Sequence, residues 1–273
     1  MRWWRFSLAL AFAGCGPAAP VERVEWPVMG TVAAVQTRGP DAQASAAAVR
    51  RVVQADFRAI ESLLNAHDPD AEIRRLARLP DAAVEAQCDA ATRLCYAAAF
   101  RLMRATDGAF NPRWRGPGTL DLGAIAKGFA VDRASDAAER AGTAEALVDL
   151  GGNLKAVRGD WKVGVRDPDG GGVAAVVTLR AGEALATSAA YFRGRHIFDG
   201  RTARPVSNDV ASVTVRCASA MWADGLSTTL FVLGPDDGRR FLRERLPQLA
   251  QPAFRVSALW ILRDGRHVRF DTD

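Results

Sequence analysis

The 273-residue chain carries 36 Lys+Arg against 31 Asp+Glu, a formal charge of +5, with 49% hydrophobic and 25% charged residues. That balance supports a packed core and excludes a disordered or low-complexity chain. Beyond the amino end no apolar run approaches the roughly 20 residues of a membrane span, which excludes a polytopic membrane protein, and no Lys/Arg cluster interleaved with aromatics points to nucleic acid.

In chain order, Met1 to Arg5 is short and basic, Phe6 to Gly14 is apolar but too short to span, and Phe12-Ala13-Gly14-Cys15 follows. Residues 1–14 therefore read as a lipoprotein signal, cleaved before Cys15. The thiol of Cys15 would be diacylated, the two-chain condition for a stable anchor, with residues 15–22 as lipidated cysteine and tether. Phe12 stands where leucine is usual, and a plain secretory leader or a buried amino-terminal strand compete with this reading. Removing Arg2 and Arg5 leaves 34 basic residues against 31 acidic.

Val24 to Thr37 alternates like strands, broken near Met29-Gly30-Thr31. Asp41 to Ala66 follows as a helix, with Val49, Val53, Phe57, Ile60 and Leu64 at three- to four-residue steps. A second helix runs from about Asp89 to Ala105 and stops at Asp107-Gly108; a third begins near Gly123. Five β-rich runs come next, Ala146 to Leu150, Trp161 to Arg166, Val173 to Leu179, Ser212 to Cys217 and Ser257 to Leu262. Helices from Ala220 to Leu233 and Asp236 to Leu246 interrupt them. This order predicts an α+β fold, without the strict alternation of a doubly wound sheet. Cys88 and Cys95, seven apart in what reads as one helix, would lie about 10 Å apart and beyond disulfide reach.

Four segments carry possible chemistry. In Asp121 to Asp132, glycine before a helix lets a ligand approach the backbone, and Lys127 one turn in adds a point charge suited to phosphate. An amphipathic helix start with a solvated lysine explains the same letters. Leu147 to Asn153 ends a strand in Gly151-Gly152, offering unhindered amides or simply a tight turn. Asp224 and Thr228 are i and i+4, so carboxylate and hydroxyl share a helix face and suit a hard cation, or Asp224 serves the helix dipole. His196, three residues before Asp199, reads either as a general base held by a carboxylate or as a structural histidine.

Taken together and in this order, the motifs resemble the ApbE family of FAD:protein FMN transferases. The resemblance begins at Pro27-Val28-Met29-Gly30-Thr31 and continues through Asp68-Pro69-Asp70-Ala71-Glu72-Ile73 and Gly108-Ala109-Phe110-Asn111-Pro112. It is strongest at Asp121 to Asp132, then runs through Leu150-Gly151-Gly152-Asn153, Trp161 to Pro168, Ala186-Thr187-Ser188, His196 to Pro205 and Ala223 to Thr228. It implies a single ApbE-like, T-fold-related α+β domain over residues 23–273, with mixed or antiparallel sheets and packed helices. It further implies an enzyme lipid-anchored on the periplasmic side of a bacterial membrane, using Mg2+ to move FMN from FAD onto a Ser or Thr hydroxyl of an acceptor flavoprotein and releasing AMP. By matching motif, Asp224 and Thr228 would bind the metal with carbonyls near Ala124 and Ser227. Met29, Gly30, Gly123, Lys127, Asp132, Gly151, Gly152 and Ser188 would line the FAD site. His196 would be the base, oriented by Asp199.

The chain departs from the family in three places. Only Arg113 to Leu120 separate Asn111-Pro112 from Asp121, where relatives carry a longer excursion that would wall the dinucleotide. Thr187-Ser188-Ala189 stands for Thr-Ser-Gly, and Asp199-Gly200-Arg201-Thr202-Ala203 for Asp-Pro-x-Thr-Gly. Alanine replaces glycine without strain only where φ is negative. Metal-dependent hydrolysis of FAD to FMN and AMP, and non-catalytic periplasmic FAD binding, are the competing expectations.

Overall fold

The computed structural model describes residues 19–143, 145–190, 197–249 and 254–272. Its first two strands, β1 (Val21–Val28) and β2 (Thr31–Arg38), form an antiparallel hairpin closed by Met29-Gly30. Both turn residues have positive φ, 51° and 65°, the twist that a two-residue hairpin requires. Helix α1 (Ala42–Leu64) buries Val49, Val53, Phe57, Ile60 and Leu64 on one stripe, as their spacing predicts. Two short helices, α2 (Glu72–Leu76) and α3 (Asp81–Gln87), lead to α4 (Ala90–Ala105), whose first turn is capped by Asp89 accepting from the Ala91 amide at 2.7 Å. Cys88 therefore precedes α4 and does not share its helix with Cys95; Cys88, Cys95 and Cys217 are all buried free thiols.

Helix α5 (Ala126–Arg140) starts three residues later than the sequence suggests, because Asp121 to Ile125 turns before the helix begins. The remaining elements are β3 (Ala146–Leu150), β4 (Asn153–Arg158), β5 (Trp161–Arg166), β6 (Val173–Leu179), β7 (Ala184–Ala189), β8 (Phe198–Asp199), β9 (Arg204–Pro205), β10 (Val210–Cys217), α6 (Ala220–Glu244), α7 (Leu246–Leu249), β11 (Ser257–Leu262) and β12 (His267–Asp271). Eight strands make one sheet in the order β1-β2-β3-β4-β7-β10-β11-β12, every neighbouring pair antiparallel. The α+β expectation holds, with an antiparallel sheet.

Helices α1, α5 and α6 cover one face, burying Trp26, Phe57, Val148, Leu150, Val213, Leu226 and Trp260 in the main core. The β5–β6 hairpin covers part of the other face over Leu147, Trp161, Val163, Leu179 and Leu185. A five-residue connection returns the chain from α5 into β3, so the start of α5 and the Gly151-Gly152 turn after β3 lie at the same end of the sheet. No helix among the described residues is long and apolar enough to cross a membrane.

Candidate functional site

Asp224 lies in the second turn of α6 and is 5% exposed. Its Oδ2 accepts from the Gly128 amide at 2.9 Å and stands 3.5 Å from the Lys127 ammonium. Burial pushes its pKa above the usual carboxylate range, against the pull of Lys127 and the Gly128 N–H. This approach depends on Gly128 lacking a side chain. A Cβ there would fall on the Ala220 carbonyl and 2.8 Å from Asp224 Cβ. The Gly128 amide, which helical geometry would aim at the Ala124 carbonyl, is donated to Asp224 instead, leaving that carbonyl without its helical bond. Lys127 Nζ also donates to the Gly123 carbonyl at 3.2 Å, while Gly123 N–H donates to Asp121 Oδ1 at 2.9 Å.

Hydroxyls complete the cluster. Ser188 Oγ, near the end of β7, is 2.8 Å from Ser227 Oγ and 3.1 Å from Thr228 Oγ1. Ser227 Oγ donates to the Asp224 carbonyl at 2.9 Å. Ser227 sits inside α6, so its hydroxyl, rather than the carbonyl expected from sequence, is what it brings here. One buried carboxylate and three hydroxyls are an all-oxygen set. No group of three or more His, Cys, Asp or Glu is placed to hold a metal among the described residues. The set therefore fits a hard cation that keeps water and substrate oxygens in its shell, and not a soft one.

The two glycine turns come side by side. Gly151 N–H donates to the Val32 carbonyl at 3.0 Å, and a Cβ at Gly151 would meet Thr31 Oγ1 at 2.6 Å. Gly151 and Gly152 have φ of 61° and 89°, and Gly152 N–H donates to Asp149 Oδ1 at 2.9 Å. Asp149 is itself buried, which raises its pKa despite Gly152 and Arg23. Met29 N–H donates to Glu61 Oε1 at 2.9 Å, fixing the first turn from α1. Met29, Gly30, Gly151 and Gly152 thus form one structural unit.

Two expected site residues have other partners. Asp132 accepts at Oδ1 from Lys155 Nζ at 2.7 Å and from the Ala220 amide at 2.9 Å. At Oδ2 it accepts from Ser219 Oγ at 2.7 Å and the Met221 amide at 2.9 Å. With four donors from its own chain it holds the start of α6. Asp132→Ala should therefore lower unfolding free energy by about 2–3 kcal/mol, read from urea denaturation; an unchanged midpoint would refute this assignment. Asp199 pairs with Arg201, 2.6 Å from Nη2 and 2.9 Å from Nε, and the guanidinium holds its pKa below the usual range. His196, which Asp199 was expected to orient, and Cys15 lie outside the described residues. Ala203 has φ of 53°, so the alanine in place of a family glycine sits in the left-handed region, whereas Ala189 lies in strand β7.

The geometry has relatives. A model of the ApbE family matches residues 114–251, just over half of the chain. The chain belongs to the ApbE family. Among ApbE relatives, the FAD:protein FMN transferase of Rhodobacter capsulatus is 42% identical over 134 residues, 44% of this chain and 25% of that one. The FAD:protein FMN transferase of Klebsiella pneumoniae is 36% identical over 135 residues, 46% of this chain and 42% of that one. The matched stretch thus spans less than half the length of these curated relatives. Among solved structures, the apo flavinyl transferase ApbE of Pseudomonas stutzeri superposes with a TM-score of 0.72 at 25% identity, covering 94% of this chain and 96% of that one. The ApbE protein of Thermotoga maritima gives 0.74 at 23% identity, covering 92% and 97%, and supports the fold. The ApbE match contains Lys127, Ser188, Asp224, Ser227 and Thr228; the Met29-Gly30 turn precedes it and is joined to it through Gly151 and Val32.

Proposed function

We propose that this ApbE-family chain transfers the FMN moiety of FAD to a Ser or Thr hydroxyl of an acceptor flavoprotein, releasing AMP, with Mg2+ as cofactor. The observation that carries the reading is the all-oxygen cluster around buried Asp224, with Lys127 beside it, in a chain of this family. Asp224, Thr228 and the Ala124 carbonyl would hold the cation, which supplies charge neutralisation at the pyrophosphate. Lys127 positions the phosphates, and the Gly123 and Gly151-Gly152 turns, which carry no side chain, let them approach the backbone. The acceptor oxygen attacks the FMN phosphorus, the bridging P–O bond breaks, and AMP leaves with the bridging oxygen. His196 takes the hydroxyl proton. Cys15 would carry the lipid anchor and place the enzyme on the periplasmic face of a bacterial membrane.

The test is to incubate the protein with FAD and Mg2+, with and without a flavinylatable acceptor, and follow AMP release and in-gel flavin fluorescence. Acceptor fluorescence with equimolar AMP is the expected result, and His196→Ala should cut the rate by about 10²–10⁴-fold while FAD still binds. AMP with free FMN and no labelling would replace transfer by hydrolysis, and FAD binding with neither product would leave a binding protein. Wild-type rates in His196→Ala would refute the base.

A further inference from the structure

Among its 36 basic residues the chain has three lysines, Lys127, Lys155 and Lys162, and two of them face an aspartate in opposite ways. Lys155 Nζ lies 2.7 Å from Asp132 Oδ1, the length of a tight charge-assisted hydrogen bond, and the Ala220 and Met221 amides and Ser219 Oγ also donate to that carboxylate. Lys127 Nζ stands 3.5 Å from Asp224 Oδ2 and is shared with the Gly123 carbonyl at 3.2 Å. The first pair is a fixed joint; the second is loose.

The members of the loose pair also differ in access. The Asp224 side chain is 7% exposed and is held from α5 by the Gly128 amide at 2.9 Å, whereas the Lys127 side chain is 29% exposed on a flexible four-carbon stem. The ammonium can leave, and the carboxylate cannot. An ionised carboxylate in buried surroundings needs a positive partner, and Lys127 supplies one from its own chain. A divalent cation taken up by the same carboxylate, with the hydroxyls of Ser188, Ser227 and Thr228 beside it, meets that ammonium as a like charge and repels it. An arginine fork would grip the carboxylate in a fixed plane; a lysine is a point charge with rotatable donors and lets go more readily.

We propose that Lys127 is the exchangeable counter-ion of Asp224: its ammonium balances the carboxylate until a divalent cation replaces it, and the displaced lysine then turns outward to the phosphates of the dinucleotide. The second half of the exchange rests on the transfer reading. Cation and dinucleotide are thereby coupled through one side chain. Phosphates that draw Lys127 off Asp224 tighten cation binding, and by linkage the cation tightens theirs by the same factor.

The test needs neither acceptor nor turnover. Mg2+ alone is titrated by calorimetry into wild type and Lys127→Met at about pH 8.5, where protons compete little for a carboxylate. Lys127→Met should bind Mg2+ about tenfold tighter, because no ammonium has to be displaced. Wild type carrying isotope-labelled lysine gives one side-chain signal for each of Lys127, Lys155 and Lys162; Mg2+ should move that of Lys127 and leave the other two in place. Saturating FAD should tighten Mg2+ binding more in wild type than in Lys127→Met. Equal or weaker Mg2+ binding by folded Lys127→Met, an unmoved Lys127 signal at saturating Mg2+, or no Mg2+ binding by either protein would overturn the exchange. If Lys127→Met does not fold, the wild-type signal decides alone. A protein that shows the exchange yet labels no acceptor removes the transfer reading and leaves the counter-ion assignment standing.

Discussion

Gly128→Ala should destabilise the protein by about 3–5 kcal/mol, among the largest effects of adding one methyl group anywhere in the chain. Most overpacked sites relax by turning a side chain. Here the obstacle is the Ala220 carbonyl on the facing helix, with Asp224 Cβ just beyond it, so α5 and α6 must separate. The Gly128 N–H would then withdraw from Asp224, and the same substitution should remove metal-dependent turnover even in the fraction that folds. Urea denaturation followed by an activity assay on the folded fraction checks both parts. A variant with wild-type stability would mean that the helices are not held at this distance in solution.

Asp224→Asn should separate stability from function. Turnover with FAD and Mg2+ is expected to fall by about a hundredfold or more, because the buried carboxylate beside the hydroxyl cluster is lost. Metal-free stability is expected to rise. A carboxyl whose folded pKa is raised binds its proton more tightly in the folded state, so folding is favoured below the ordinary carboxylate range of about 4, and that advantage is lost as pH rises through the raised value. At pH 8 the ionised, desolvated group is at its most costly. The amide keeps an oxygen for the Gly128 N–H and carries no charge to desolvate. Metal-free melting at pH 8 should therefore be higher in Asp224→Asn, the gap should close toward acid pH, and the stabilisation that Mg2+ gives wild type should vanish. Equal Mg2+-induced shifts in both proteins would move the cation elsewhere.

The elements most legible in the sequence were those with a strong local signal. The α1 stripe and the strands Ala146–Leu150, Trp161–Arg166, Val173–Leu179 and Ser257–Leu262 begin and end where composition places them. Strand β7 was hidden because Ala-Leu-Ala-Thr-Ser-Ala is small and is packed between β4 and β10, so it shows neither alternation nor a bulky apolar run. Strand β4 was hidden by its polar Asn153 and Lys155; Asn153 donates to the Leu150 carbonyl and Lys155 to Asp132 on α5. The i, i+4 relation of Asp224 and Thr228 is a short-range fact and could be read directly. Gly128 could not, because its need for a missing side chain comes from Ala220, 92 positions away. The structural role of Asp132 was hidden for the same reason: its four donors are Lys155 and residues 219–221, distant in sequence and silent in any local pattern.

One break in α6, at Gly234, separates the site from the 39 residues that follow it. Gly234 leaves helical geometry at φ 74° and ψ 178°, and Pro235 follows it. The carbonyls freed just before the break are taken by side chains: Phe231 accepts from Asn208 Nδ2 at 2.7 Å and Leu230 from Trp260 Nε1 at 3.2 Å. The segment from Ala220 to Leu233 is thus finished as a helix in its own right, closed at one end by Asp132 and Ser219 and at the other by Asn208 and Trp260. The rod that bears Asp224 and Thr228 ends its own hydrogen-bond ladder before Gly234, and the arginine-rich segment beyond meets it through side-chain packing, with Gly238 seated against Leu230 and Trp260, and not as a continuation of one helix.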